Sequence, residues 1–188
     1  METEFNISRL KLAQKRRQMT NIALAKAAKI TPVHLSRLSQ TNNSPKPDTI
    51  AALAEALRYP LGFFYGEDLD EVDKDAASFR SLKSMTAKER DASLAAASLA
   101  FMISDKVEKK FGLPAPDLLD LSHEDDPARA AMLMRLHWNR GTRPIKNMLD
   151  LLESKGIRVF SLSENTLRVD AFSCWRNGTP YILSLIHI

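Results

Sequence analysis

The sequence predicts a mainly α-helical chain in two parts. Five helical segments fall within residues 1–66, and further helices then give way to a small β-hairpin. Three observations carry this. Apolar residues recur at helical spacing through most of the chain. Met19 to Gln40, MTNIALAKAAKITPVHLSRLSQ, reads as two short helices joined by a tight turn. Beyond Gly156 the pattern becomes alternating, and Asn177-Gly178 sits between two apolar runs as a hairpin turn should.

Taken in order, the first helix covers Ile7 to Gln18. Ile7, Leu10, Leu12 and Ala13 face inward, and Arg9, Lys11, Lys15 and Arg16 face out. Thr20 is placed to cap a second helix, Asn21 to Ala28, with Leu24 and Ala25 inside. Lys29 and Ile30 make the turn. Thr31 caps the third helix, and Pro32 takes its first turn, where a missing N–H costs nothing. Leu35 and Leu38 give that helix a buried stripe, while Val33, His34, Ser36 and Arg37 form the other face. A short helix with an apolar back and a front of small, polar and cationic groups suits a DNA major groove. The polar loop Thr41 to Pro47 places Asn42, Asn43 and Lys46 within reach of phosphates. Asp48 is a good cap for a fourth helix carrying Ile50, Leu53, Ala54 and Leu57. Arg58-Tyr59-Pro60 ends it, and Leu61, Phe63 and Phe64 add core in a last helical turn.

Glu67 to Asp75, EDLDEVDKD, reads as an acidic linker, usually a solvated connector. A long amphipathic helix follows over Thr86 to Phe111 and is stopped by Gly112. Helices over Pro127 to Asn139 and Ile145 to Ser154 come next. Ile157 to Ser161 is a strand, and VDAFSCWRNGTPYIL is the hairpin.

Composition narrows the function classes. At 188 residues, 44% hydrophobic and 27% charged, this is an ordinary globular sequence. No apolar run approaches the roughly 20 residues of a membrane span, and METEFNISRL lacks a secretory signal core. The single cysteine, Cys174, excludes an internal disulfide, fits a reducing cytoplasm and is read as a small buried strand residue. Charge is uneven: residues 1–66 hold ten Lys and Arg against four Asp and Glu, and residues 67–188 hold seventeen against nineteen. The basic excess lies where phosphate contact would favour it.

With these residues in view, residues 5–66 resemble a helix-turn-helix domain of the Cro/cI (Xre) type, a lambda-repressor-like five-helix fold. The likeness rests on the basic first helix, Met19-Thr20, the Leu24-Ala25 pair, the Ala28-to-Ile30 turn, the Thr31-led third helix and DTIAALAEALRYPLGFF. It implies a transcriptional regulator that binds a double-stranded DNA operator as a homodimer. On that resemblance Pro32, Val33 and Arg37 read base edges, with His34 beside them. Thr20, Asn21, Arg17, Thr31 and Lys46 hold phosphates. The family usually has Gly where this chain has Gln18 and Lys29. It often links its first and third helices through an Arg and a Glu, where this chain has Gln14 and Ser39.

Residues 76–182 resemble the front of an ImmA/IrrE-type zinc metallopeptidase domain, on AASFRSLKSMTAKERDASLAAASLA, FGLPAPDLLDL, RPIKNMLDLLESKGIRVFSL and the hairpin. In that family an H-E-x-x-H helix follows, with two histidine ligands one helical turn apart and a glutamate to activate water. This sequence has none. His34, His123, His137 and His187 include no pair four apart. His123-Glu124-Asp125-Asp126 is read as the polar lead-in to the next helix, and His137 as packing or surface. The last six residues, LSLIHI, resemble a translated transposon-end adapter from library preparation, so 183–188 is expected to be an artefactual tail. The second part is then an incomplete α+β domain, and Phe172, Trp175, Tyr181 and Ile182 should be under-buried. The chain as it stands is expected to have no catalytic site and no cofactor, with zinc belonging only to an intact parent. The competing expectation is an inactive fragment of a zinc endopeptidase that cleaves a repressor and uses the helix-turn-helix for targeting. A third is a protein-binding module.

Overall fold

A computed structural model describes residues 4–38, 44–79, 85–161 and 171–184. Ser39, Asn42, Asn43 and the tail from residue 185 onward lie outside the described residues. The chain is mainly helical with one small sheet. It falls into two compact units, residues 1–74 with 81–103, and residues 75–80 with 104–188.

In the first unit, α1 (Ile7–Arg16), α2 (Asn21–Ala27), α3 (Pro32–Leu38) and α4 (Pro47–Leu57) precede a 3₁₀ turn, Leu61–Tyr65. Their apolar stripes meet in one core of Leu10, Leu12, Ala13, Leu24, Ala25, Leu35, Ile50, Leu53, Leu57, Phe63 and Phe64. Asn6 caps α1, its side chain accepting from Ser8 N and Arg9 N. Its own amide donates to the Gly66 carbonyl at 2.9 Å, which ties the start of α1 to the end of the 3₁₀ turn. The fourth helix begins earlier than its sequence suggests. Pro47 takes its first position and Lys46 precedes it without a side-chain cap, so Asp48 lies in the first turn rather than at the cap.

The acidic segment is no free connector. Leu69 packs on the core, Lys15 pairs with Glu71 at 3.5 Å, and Lys74 pairs with Asp91 at 3.4 Å. The apolar Leu69 and Val72 interleaved among its acids account for this. The long helix α5 (Ala87–Phe111) starts at a capping box: Glu89 N donates to Thr86 Oγ1, and Thr86 N donates to Glu89 Oε2. Its residues through Ile103 group with the first unit and those from Ser104 with the second.

The second unit holds α6 (Pro127–His137), α7 (Met148–Ser154) and four strands: β1 (Ala77–Phe79), β2 (Arg158–Ser161), β3 (Ala171–Arg176) and β4 (Thr179–Ser184). Sheet order is β1-β3-β4-β2, antiparallel except that β2 runs parallel to β4. Asn177 and Gly178, both left-handed at φ 50° and 75°, make the hairpin turn. The expected under-burial holds for Trp175, 61% exposed, and fails for Phe172 and Tyr181, each 2%. β1, which the sequence reading leaves out, stacks Phe79 on Phe172 at 4.8 Å. Tyr181 donates its hydroxyl to Ser104 at 3.2 Å. Leu183 and Ser184, at the start of the expected tail, are paired residues of β4 and buried.

Asp117 organises the loop before α6. Its carboxylate meets His137 Nε2 at 2.5 Å and Lys155 Nζ at 2.7 Å, and its carbonyl accepts from the Trp138 indole. The hydrogen bonds from Lys155 and then His137 hold its pKa below the ordinary carboxylate value. His137 is thus engaged in a hydrogen-bonded cluster with Asp117, and Asp126 caps α6 by accepting from Ala128 N.

Candidate nucleic-acid interface

The α2–α3 pair is built by its caps. Thr20 Oγ1 accepts from Ala23 N at 3.2 Å, and Thr31 Oγ1 accepts from His34 N at 3.1 Å. Each hydroxyl thereby meets one of the N–H groups that a helix start leaves without an internal partner. Leu24 and Ala25 on α2 and Leu35 on α3 are buried to 1% or less, and Leu38 to 9%. That fixes what faces out. Pro32, Val33, His34 and Arg37 are exposed on α3, and Val33 and Arg37 are four residues apart on one side of the helix.

The residues expected at phosphates sort into two groups. Thr20, Asn21, Thr31 and Lys46 are exposed. Asn21 is also held in place, its Oδ1 accepting from the Gln14 amide at 2.7 Å while that amide donates to the Met19 carbonyl at 3.1 Å. Gln14 thereby braces the start of α2. Arg17 is exposed too, but its guanidinium is engaged. Its guanidinium donates to the Leu57 carbonyl at 2.8 Å and the Arg58 carbonyl at 3.2 Å and lies over the Tyr59 ring. It is committed to the end of α4, where the last carbonyls of a helix need donors. Arg9 is committed in the same way, to the carbonyls of Glu67 and Phe63. Burial lowers the Arg9 pKa, against the pull of Asp68 and Glu67.

One feature is missing from the sequence reading. Ile22 on α2 is 71% exposed beside Asn21, as Val33 is at 61% on α3. Such apolar side chains stand out only once burial is known. Lys29 and Gln18, the two positions where the resemblance leads one to expect glycine, are left-handed at φ 55° and 53°, and Arg58 is as well at 55°. Each closes a helix: Lys29 N donates to Lys26 O and Ile30 N to Ala25 O, and the same pattern recurs at Gln18-Met19 and Arg58-Tyr59. Glycine is the usual residue there because a Cβ is penalised by about 1–2 kcal/mol. Lys29→Gly is expected to raise stability by about 0.5–1 kcal/mol, after the looser unfolded chain is allowed for. Urea unfolding would read it as a higher midpoint at unchanged slope; a lower midpoint would mean that the lysine side chain holds the turn.

The 188 residues contain no H-E-x-x-H, and no three His, Cys, Asp or Glu side chains among the described residues form a group that could hold a metal. Cys174 is 2% exposed in β3, and burial pushes its thiol up to about 11, far from the reactive thiolate range. No helix of the described residues is long and apolar enough to cross a membrane. Comparison with protein-family models, curated proteins and solved structures finds no match.

Proposed function

We propose that the chain is a sequence-specific DNA-binding transcriptional regulator of the Xre type. Residues 5–66 serve as its lambda-repressor-like helix-turn-helix domain, α2 and α3 forming the two-helix unit. The observation that supports this most is the division of α3: Leu35 and Leu38 anchor it in the core while Pro32, Val33, His34 and Arg37 are presented outward from a capped N-terminus. In this reading α3 lies in the major groove. Arg37 and Val33 meet base edges, Pro32 a base edge or methyl, and His34 base or phosphate. Thr20, Asn21, Thr31 and Lys46 meet the backbone on either side. Arg17, exposed and still charged while it holds the Leu57 and Arg58 carbonyls, adds its charge toward the phosphates. In this reading the chain acts by binding.

Selection from a random duplex pool, followed by gel shifts across a salt series, tests the reading. One enriched site whose affinity falls steeply with salt is expected. Failure of any duplex to bind, or binding without sequence preference, would overturn it. On the selected site Arg37→Ala should lose about 1–3 kcal/mol at one base position and relax preference there. Unchanged preference across site variants would remove Arg37 from the reading set. The exposed Ile22 and Val33 also favour a second reading, a protein-binding module, since apolar side chains suit a protein partner. Such binding would be nearly indifferent to salt, which separates the two.

A further inference from the structure

In the second unit, the segment between α6 and α7 reads Asn139-Arg-Gly-Thr-Arg-Pro-Ile-Lys-Asn147, with three cations and no acid. Its backbone is fixed from within. Asn139 and Gly141 are left-handed, Arg140 N donates to the Arg135 carbonyl at 2.8 Å, and Arg143 N donates to the Arg140 carbonyl at 3.1 Å. A fourth cation, Arg135, turns its guanidinium onto this loop, donating to the carbonyls of Gly141 and Arg143. One cation therefore holds the loop in shape, and the other three are left to face outward from it.

Those three, Arg140, Arg143 and Lys146, line a cleft of about 480 Å³ against α7. That size lies within the range of small-molecule sites. Pro144, Ile145 and the buried Leu151 give the cleft an apolar wall, and Asn139, Asn147 and Ser154 give it neutral polar groups. Asp150 is the one carboxylate in the lining. Among the described residues none of the three cations has an ion pair. Holding like charges together repels, and Asp150 is a single carboxylate in the lining against three cations.

We propose that this cleft binds a small organic phosphate. A phosphate group carries the charge and the multiple acceptor oxygens that guanidinium forks and an ammonium recognise. The apolar wall takes the organic body, and Asp150 accepts from a hydroxyl or amine on it. The surroundings favour a small ligand over a nucleic-acid backbone. Residues 67–188 carry more acidic than basic side chains, so the positive charge is a local spot rather than the stripe that a phosphodiester chain tracks. The proposal stands apart from the DNA-binding reading and uses none of its residues.

The test uses the full chain and the fluorescent nucleotide N-methylanthraniloyl-ADP as probe. Saturable binding with Kd below about 1 mM is expected, competed by inorganic pyrophosphate and by ADP but not by adenosine. The double variant Arg140→Ala/Arg143→Ala should weaken binding by about tenfold or more for each guanidinium removed, with circular dichroism unchanged. Lys146→Gln, a milder change, should weaken it less. If the double variant does not fold, Lys146→Gln and the pyrophosphate competition still decide the matter. Absence of saturable binding, equal binding by the variants, or competition by adenosine as strong as by ADP would each overturn the proposal. So would displacement by duplex DNA but not by pyrophosphate, which would assign the cleft to nucleic acid.

Discussion

Phe64→Ala is expected to cost the first unit about 3–5 kcal/mol, the range for deleting a fully buried phenyl ring. Phe64 is 0% exposed. Its ring meets Phe63 at 5.4 Å, Tyr59 at 6.3 Å and Phe5 at 6.4 Å. Its carbonyl accepts from Asn6 N at 2.7 Å, where the 3₁₀ turn clasps the start of α1. Alanine would open a cavity at the point where the chain's first helix and the end of the α1–α4 bundle are joined, and three aromatic neighbours cannot all shift to fill it. Hydrogen exchange read by mass spectrometry would show lost protection in α1, α4 and the Leu61–Tyr65 turn. A loss under about 1 kcal/mol would mean that Phe5 or Tyr59 swings into the space.

Gly156→Ala carries the second large effect, about 2–5 kcal/mol. Gly156 closes α7 at φ +76°, with its N–H donating to Glu153 O and Ile157 N donating to Leu152 O. An alanine there meets the left-handed penalty of about 1–2 kcal/mol. It also drives its Cβ into the Ala115 carbonyl and the nitrogen of Pro116, and such overpacking costs about 1–3 kcal/mol. Those atoms are backbone, so no rotamer change relieves the contact. The loop at residue 115 would have to move, and with it the Asp117 N–H bond to the Lys155 carbonyl at 3.0 Å. Thermal unfolding followed at Trp138 and Trp175 measures it; a change under about 1 kcal/mol would show that the loop gives way freely.

Much of the first unit is written in local pattern. The hydroxyls of Thr20 and Thr31 and the ring of Pro32 specify helix starts through chemistry that acts within one turn, so α2 and α3 are legible to a residue or two. The core is legible for the same reason, since Leu24, Leu35, Leu53 and Leu57 recur at helical spacing. What escapes is non-local. Arg17, just past α1, reads in the sequence as a phosphate-facing cation until the end of α4, forty residues on, supplies two carbonyls for it. The three residues of β1 are too short for alternation to register, and only the partner strand β3 makes them a strand. Arg158, 7% exposed, sits where an alternating strand would carry an apolar side chain, and the Pro114 carbonyl that accepts from it lies 44 residues earlier. The outward face of α3 could be drawn from sequence, but its meaning as an interface comes from type and charge, which burial alone does not supply.

The three left-handed side chains at Gln18, Lys29 and Arg58 also bear on how this unit can change over generations. Each is a local sub-optimum that one substitution to glycine relieves, and the three lie in separate turns, so their effects should nearly add. Together they hold back about 1.5–3 kcal/mol, comparable to the destabilisation brought by an average damaging mutation or two. A unit with that reserve can accept new and disruptive side chains on the exposed face of α3, with compensation available elsewhere. If α3 reads DNA as proposed, drift in what it reads would then be limited by selection on that reading rather than by the stability of the fold.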